Sequence, residues 1–208
     1  MPFDSSRLLA VIWSGWTATW PTQLLAVIWI AWLTSWVVSS FWSGRTQKQV
    51  MTWPSQTYRI PILVGGILFT PWTGQLLGEK PLWQFSSTGI YLLAVLVLAG
   101  ISFTWWARIH LGRFWSNTIT RKEGHRVIDT GPYGLVRHPI YTGLIAGMLV
   151  TGFAVGTVTA MLGAVLISLG MWQKARLEEG FLTNELGADA YGSYCRRVPM
   201  LIPFLPSR

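Results

Sequence analysis

The chain has 208 residues, 51% of them hydrophobic and only 12% charged, about half the charged fraction of a soluble domain, and this excludes an ordinary water-soluble fold. Its formal net charge of +8 comes from basic residues that lie between apolar stretches and form no nucleic-acid-binding module, so anionic lipid headgroups are the expected counter-charge. The single cysteine, Cys195, excludes an intrachain disulfide and a cysteine-rich zinc site.

From the N-terminus, Asp4 and Arg7 precede a short, Trp-broken apolar run without a small-residue cleavage site, and no signal peptide is expected. Residues Leu8 to Trp20 are too few to cross a bilayer and are followed by Pro21, so they read as an interfacial segment, with an inserted sixth span as the alternative. Apolar stretches of spanning length follow at Thr22 to Trp42, Tyr58 to Leu77 and Ser87 to Ala107. Pro139 to Thr151 and Phe153 to Trp172 make a fourth and fifth, joined around Gly152 and Gly156 as a tight helical hairpin. The fourth is short for a full crossing and is expected to tilt, stop part-way or pack against protein. The 14 Trp suit the membrane interface, where an indole is half apolar and its N–H stays wet.

Beyond Trp172 the residues Lys174, Arg176, Glu178, Glu179, Glu185 and Asp189 arrive among spaced Leu and Phe, which predicts a soluble helix. Gly187 is expected to end or bend it, with a further turn or two carrying Tyr191 and Tyr194. Pro199, Pro203 and Pro206 then forbid more helix. The expected fold is an all-α integral membrane protein of about five transmembrane helices, with a C-terminal cytosolic helix completing a cofactor pocket. It divides into residues 1–110, membrane helices, and residues 111–208, the catalytic region.

Basic residues set the orientation. Arg45, Lys48 and Arg59 flank the first connection, Arg108 to Arg137 supply six more in the third, and Lys174, Arg176, Arg196, Arg197 and Arg208 lie in the tail. The opposite side keeps Arg7 and Lys80. The third connection and the tail are therefore expected on the cytoplasmic face, where any site built from both would sit.

Two blocks carry candidate chemistry. The first, HRVIDTGPYGLVRHPIYTG from His125 to Gly143, leads a Gly- and Pro-rich loop into Arg137 and His138, and Pro139 stands where a helix begins without wasting an amide. Such a helix start offers N–H groups and a positive dipole end to an anionic or polar ligand. The competing reading is an ordinary helix start, with Arg137 at the headgroups and His138 capping. In the second block, from Lys174 to Pro203, Lys174, Glu178 and Leu182 share one helical face at i, i+4 steps. A solvated amphipathic helix with exposed ion pairs is its competing reading, although acidic residues beside a membrane hairpin also mark functional sites.

Taken together, GxYxxxRHPxYxG, a short hairpin and EExxLxxxxGxxxYxxYxxxVPxxIP resemble the isoprenylcysteine carboxyl methyltransferase family and its phospholipid and thiol methyltransferase relatives, from Thr118 to Leu205. The resemblance implies S-adenosylmethionine as cofactor and a lipophilic or lipidated methyl acceptor reached from the bilayer. It implies cofactor contacts at His125, Arg126, Val127, Ile128, Tyr133, His138, Pro139, Ile140, Tyr141 and Glu178, with no metal. It places Lys174 at the acceptor's polar group, where the family commonly has Arg; Lys keeps the charge without the bidentate fork, which Arg176 or Arg137 would then supply. Arg137, Lys174 and Glu178 are the candidate catalytic residues. Gly180, Glu185 and Leu186 stand where the family more often has aromatic residues. Tyr191 and Tyr194 are expected to pack the tail against the hairpin.

Two other functions fit parts of the pattern. A nicotinamide-dependent reductase of the sterol reductase type has a similar Arg-His-Pro-like helix start and tail, but its tail motif usually reads Arg-Asp-Glu where this chain has Arg176-Leu177-Glu178-Glu179. A non-catalytic scaffold or transporter would leave the polar residues as lipid anchors, and apart from Arg59 at the edge of the second, the first three spans hold no charged residue to mark a transport path.

Overall fold

A computed structural model of the chain describes residues 20–42, 46–49, 56–116, 120–122 and 127–205. Helix α1 (Trp20–Ser40) is followed by a short strand β1 (Thr46–Gln49), helices α2 (Arg59–Phe69) and α3 (Pro71–Leu76), and the long α4 (Ser87–Leu111). Strand β2 (Thr120–Lys122) precedes the hairpin of α5 (Pro139–Val155) and α6 (Val158–Leu186), and α7 (Ala188–Arg197) ends the helical part. The interfacial segment expected from Leu8 onward lies outside the described residues up to Trp20.

Among the described residues, three helices are long and apolar enough to cross a membrane: Gln23–Ser40, Ser87–Phe114 and Val158–Glu185. The stretch expected as a single second span is broken. Pro71 lacks an amide and its ring drives the residue before it out of the helical region, so Thr70 is extended at φ −70, ψ 140. Helix α2 alone reaches only roughly 16 Å, about half the hydrocarbon thickness. The fourth expected span is longer than its sequence bounds, ending at Val155, where Gly156 adopts the left-handed conformation at φ 73 that favours glycine at a helix end.

The soluble helix expected after Trp172 is not a separate element. It is the last part of α6, which runs unbroken from Val158 to Leu186, because Lys, Ala, Arg, Leu and Glu are all good helix formers and a lone Gly180 costs too little to interrupt them. Gly187 does end it, at φ 91, and α7 carries Tyr191 and Tyr194. The start of α6 is capped twice. Thr157 Oγ1 accepts from the Ala160 amide at 3.3 Å, and Glu79 accepts from the Thr159 amide and hydroxyl at 3.1 and 2.8 Å.

Small residues set the helix packing, as in other membrane bundles. A Cβ on Gly100 of α4 would lie 2.7 Å from the Gly143 carbonyl of α5, and one on Gly163 of α6 would lie 2.7 Å from the Gly65 carbonyl of α2. The two seams fasten α4 to α5 and α2 to α6. Helices from before and after residue 110 therefore pack together.

Several Trp assigned to the interface are instead packing residues. Trp29 Nε1 donates to Thr151 Oγ1 at 3.0 Å and Trp32 Nε1 to Thr104 Oγ1 at 3.2 Å, so their N–H groups are satisfied by neighbouring helices rather than by water. Trp36 meets Trp105 and Trp115 edge-on, with centroids 5.6 Å apart in each pair. Strands β1 and β2 pair antiparallel, with Thr46 opposite Lys122 and Gln49 opposite Thr120. This short ribbon brings the first and third connections to one end of the helical bundle.

Candidate active site

The loop before α5 is built to meet the C-terminal tail. Its last two amides are taken by the tail backbone, Arg137 N–H donating to Pro199 O at 2.8 Å and His138 N–H to Met200 O at 3.1 Å, while Thr142 Oγ1 donates to Leu201 O at 2.7 Å. The tail thus straps the first turn of α5. Pro139 is the first residue of that helix and is buried.

Arg137 holds this arrangement together. Nε donates to Glu179 Oε1 at 2.6 Å and Nη2 to Oε2 at 3.2 Å, a bidentate pair, and Nη1 donates to the carbonyls of Cys195 and Val198. Burial would lower the guanidinium pKa, but the hydrogen bond to Glu179 and its charge outweigh it and the net direction is upward. Arg137 is at the site, with its fork engaged by Glu179 and the tail.

His138, Tyr141, Lys174 and Glu178 converge one layer further in. Tyr141 Oη donates to Glu178 Oε1 at 2.8 Å, and Lys174 Nζ stands 3.9 Å from that same oxygen. The His138 ring lies between the two glutamates, with Nδ1 3.7 Å from Glu178 Oε2 and Nε2 3.3 Å from Glu179 Oε1, and stacks on Tyr141 with centroids 5.6 Å apart. It makes no side-chain cap, so the capping alternative for His138 does not hold. Lys174 is buried, at 8% exposure, which removes the reading of this face as a solvated ion pair.

The remaining sequence candidates divide. Tyr133 and Ile140 belong to a buried cluster with Ala107, Trp115 and Leu144, against which Ile128 packs. Val127 packs instead on Tyr191, Tyr194 and Val198, and Tyr194 Oη donates to Tyr133 O at 2.7 Å. The two tail tyrosines therefore fasten α7 to the loop and to Leu182 of α6. Burial holds the hydroxyls of Tyr133, Tyr191 and Tyr194 well above their ordinary range, and likewise pushes up the Cys195 thiol, so all four are neutral groups. Arg176 is not brought in; it is exposed on another face of α6, 6.0 Å from the Trp172 ring. His125 and Arg126 lie outside the described residues.

Two residues at this end were not singled out in the sequence. Tyr58, at the start of α2, has its ring centroid 5.4 Å from Lys174 Nζ, the same distance as Tyr141. Arg108, near the end of α4, is fully buried. It donates to Ser39 O at 2.6 Å and Gly112 O at 2.9 Å, lies 4.7 Å from the Trp115 ring, and leaves Nε without a partner. Tyr133 feels the charges of both Arg108 and Glu178. The signal for Arg108 was its run of Trp neighbours, at 105, 106 and 115, which suit a guanidinium face better than a headgroup position. No group of three metal-ligating side chains occurs among the described residues.

An apolar helical bundle with a polar, partly buried cluster at one end of a hairpin is the class of membrane protein that this geometry defines. Residues 92–184 match the family model for isoprenylcysteine carboxyl methyltransferases. Similar proteins include the protein-S-isoprenylcysteine O-methyltransferase of Schizosaccharomyces pombe, 32% identical over 106 residues that make up 48% of this chain and 43% of that protein. Protein-S-isoprenylcysteine O-methyltransferase B of Arabidopsis thaliana is 27% identical over 143 residues, 62% of this chain and 64% of the relative. The cobalt-zinc-cadmium resistance protein CzcN of Cupriavidus metallidurans is 31% identical over 117 residues, 55% and 50% of the two chains. The chain thus spans 43% to 64% of the length of these relatives.

Proposed function

We propose that the chain is an S-adenosylmethionine-dependent membrane methyltransferase that acts on a lipophilic anionic acceptor, an isoprenylcysteine-like carboxylate first among them. The observation that carries this is the convergence of His138 and Tyr141 with Lys174 and Glu178, residues from both halves of the family motif, around a buried cation. The five apolar helical stretches form the membrane part, and the site faces the cytoplasm, on the side rich in Lys and Arg.

The donor set suits the cofactor. Glu178 offers carboxylate oxygens, and Tyr141 and His138 offer stacked ring faces beside it, partners for a ligand that carries hydroxyl, ammonium and aromatic groups. When bound, S-adenosylmethionine supplies an electrophilic methyl group on a cationic sulfur. Lys174 sets a positive charge beside this site, which draws a carboxylate or thiolate. An anionic acceptor needs no general base, and Glu179, held by Arg137, offers none. The apolar bundle excludes water, which favours a reaction whose charge is neutralised as the methyl moves, and the bilayer gives an apolar acceptor a lateral path.

Methyl transfer by wild type, Lys174→Ala and Lys174→Arg to lipids bearing a carboxylate, a thiol or an amine tests the reading. Lys174→Ala should lower kcat/KM for the carboxylate lipid about tenfold, the loss of one charge-assisted contact, with cofactor affinity nearly unchanged. Lys174→Arg should preserve or raise it, because a planar fork suits a carboxylate. Preferred transfer to the amine lipid, or a Lys174→Ala variant that loses cofactor affinity instead, would contradict the acceptor assignment.

A further inference from the structure

Lys174 is held from two sides, and one side comes from outside the segment that matches the family. Its Nζ lies 5.4 Å from the ring centroids of both Tyr141, which is inside residues 92–184, and Tyr58, which is not. Tyr58 is itself buried, at 5% exposure. We propose that Tyr58 is a positioning residue for the methyl acceptor, holding the Lys174 ammonium between two aromatic faces at the reach set by Glu178; the proposal rests on the methyl-transfer reading of the site.

The backbone shows why Tyr58 is in place to do this. Helix α2 is seated on α6 along Gly163 and Gly170, and a Cβ on Gly170 would fall 2.9 Å from the Tyr58 carbonyl and 2.5 Å from Ile62 Cγ1. Gly170 stands one turn before Lys174, so the close approach that only glycine permits there sets Tyr58 beside the lysine. Gln173 Nε2 donates to Thr57 Oγ1 at 2.9 Å and ties the same two segments a second time. The other cation near the Tyr58 ring is the exposed Arg59, at 5.9 Å.

A lysine needs such a holder more than an arginine would. Its ammonium is a compact charge on a flexible four-carbon stem, and an aromatic face fixes a cation by its quadrupole at little cost in water. With Tyr141 on one side, Glu178 at 3.9 Å and Tyr58 on the other, the charge has one position from which to meet an acceptor. The ring of Tyr58, rather than its hydroxyl, holds the ammonium.

The test is a double-mutant cycle in the full chain. Methyl transfer to a carboxylate lipid is measured for Tyr58→Leu and Tyr58→Phe, each with Lys174 and with Lys174→Met, alongside cofactor Kd and the rate at which an amine-acylating reagent labels Lys174. Tyr58→Leu should raise acceptor KM about threefold to tenfold, as loss of one cation–π contact implies, with cofactor Kd unchanged and Lys174 labelled faster. Tyr58→Phe should stay within about twofold of wild type, and Tyr58→Leu should have no further effect once Lys174 is Met. Equal damage from Phe and Leu, additive effects in both backgrounds, or unchanged labelling in Tyr58→Leu would overturn the proposal. If wild type transfers no methyl group, the methyl-transfer reading fails and the acceptor role with it. Labelling that rises in Tyr58→Leu alone would then leave only the holding of Lys174 standing.

Discussion

Replacing Arg137 by Ala should destabilise the folded chain by about 3 to 5 kcal/mol, the usual cost of removing one partner of a buried ion pair. The side chains involved are 6% and 15% exposed for Arg137 and Glu179, so the carboxylate left behind would keep little solvent. The same substitution removes the donor to Cys195 O and Val198 O and so releases the tail from the first turn of α5. Thermal unfolding in detergent should show a fall of roughly 6 to 20 °C for a chain of this size, together with faster proteolysis after Gly187. Arg137→Lys should fall between, keeping the charge but losing the fork. A shift under about 2 °C, within 1 kcal/mol, would show that Arg137 is not the lock, and its fork would again be a candidate for the acceptor.

Glu178→Ala should act on the cofactor instead. Glu178 receives the Tyr141 hydroxyl at 2.8 Å and has Lys174 and His138 at 3.9 and 3.7 Å, but among the described residues no arginine holds it as one holds Glu179. Losing a charged hydrogen-bonding partner costs about 1.5 to 3 kcal/mol, so S-adenosylmethionine affinity should fall about tenfold to 150-fold while thermal stability changes much less than in Arg137→Ala. Glu179→Ala should show the reverse pattern, with stability lost first. Equal cofactor affinities for the two glutamate variants at matched folded fraction would remove Glu178 from the cofactor site.

The membrane class and the hairpin were legible because they rest on strong one-dimensional signals, apolar run length and the Gly156 turn. The helix break at Thr70 was also written in Pro71, but hydropathy averages over a single proline and reads Tyr58 to Leu77 as continuous. The continuity of α6 past Trp172 was hidden for the opposite reason: its composition turns polar while its helix propensity stays high. The partition of the two adjacent glutamates, Glu179 to Arg137 and Glu178 to Tyr141 and Lys174, depends on three-dimensional proximity. Periodicity gave only the Lys174 to Glu178 step. Tyr58 was missed because its role arises from packing across the bundle, α2 on α6, which no local motif records, and Arg108 because its Trp neighbours mark a buried guanidinium only once α4 packs on α1.

Whether the cluster around Glu178 binds S-adenosylmethionine is decided by calorimetry of the purified full chain with S-adenosylmethionine and, separately, with NADPH. S-adenosylmethionine should bind saturably and more weakly to Glu178→Ala, and NADPH should not bind. Saturable NADPH binding with none for S-adenosylmethionine would contradict this and turn the same site toward reductase chemistry.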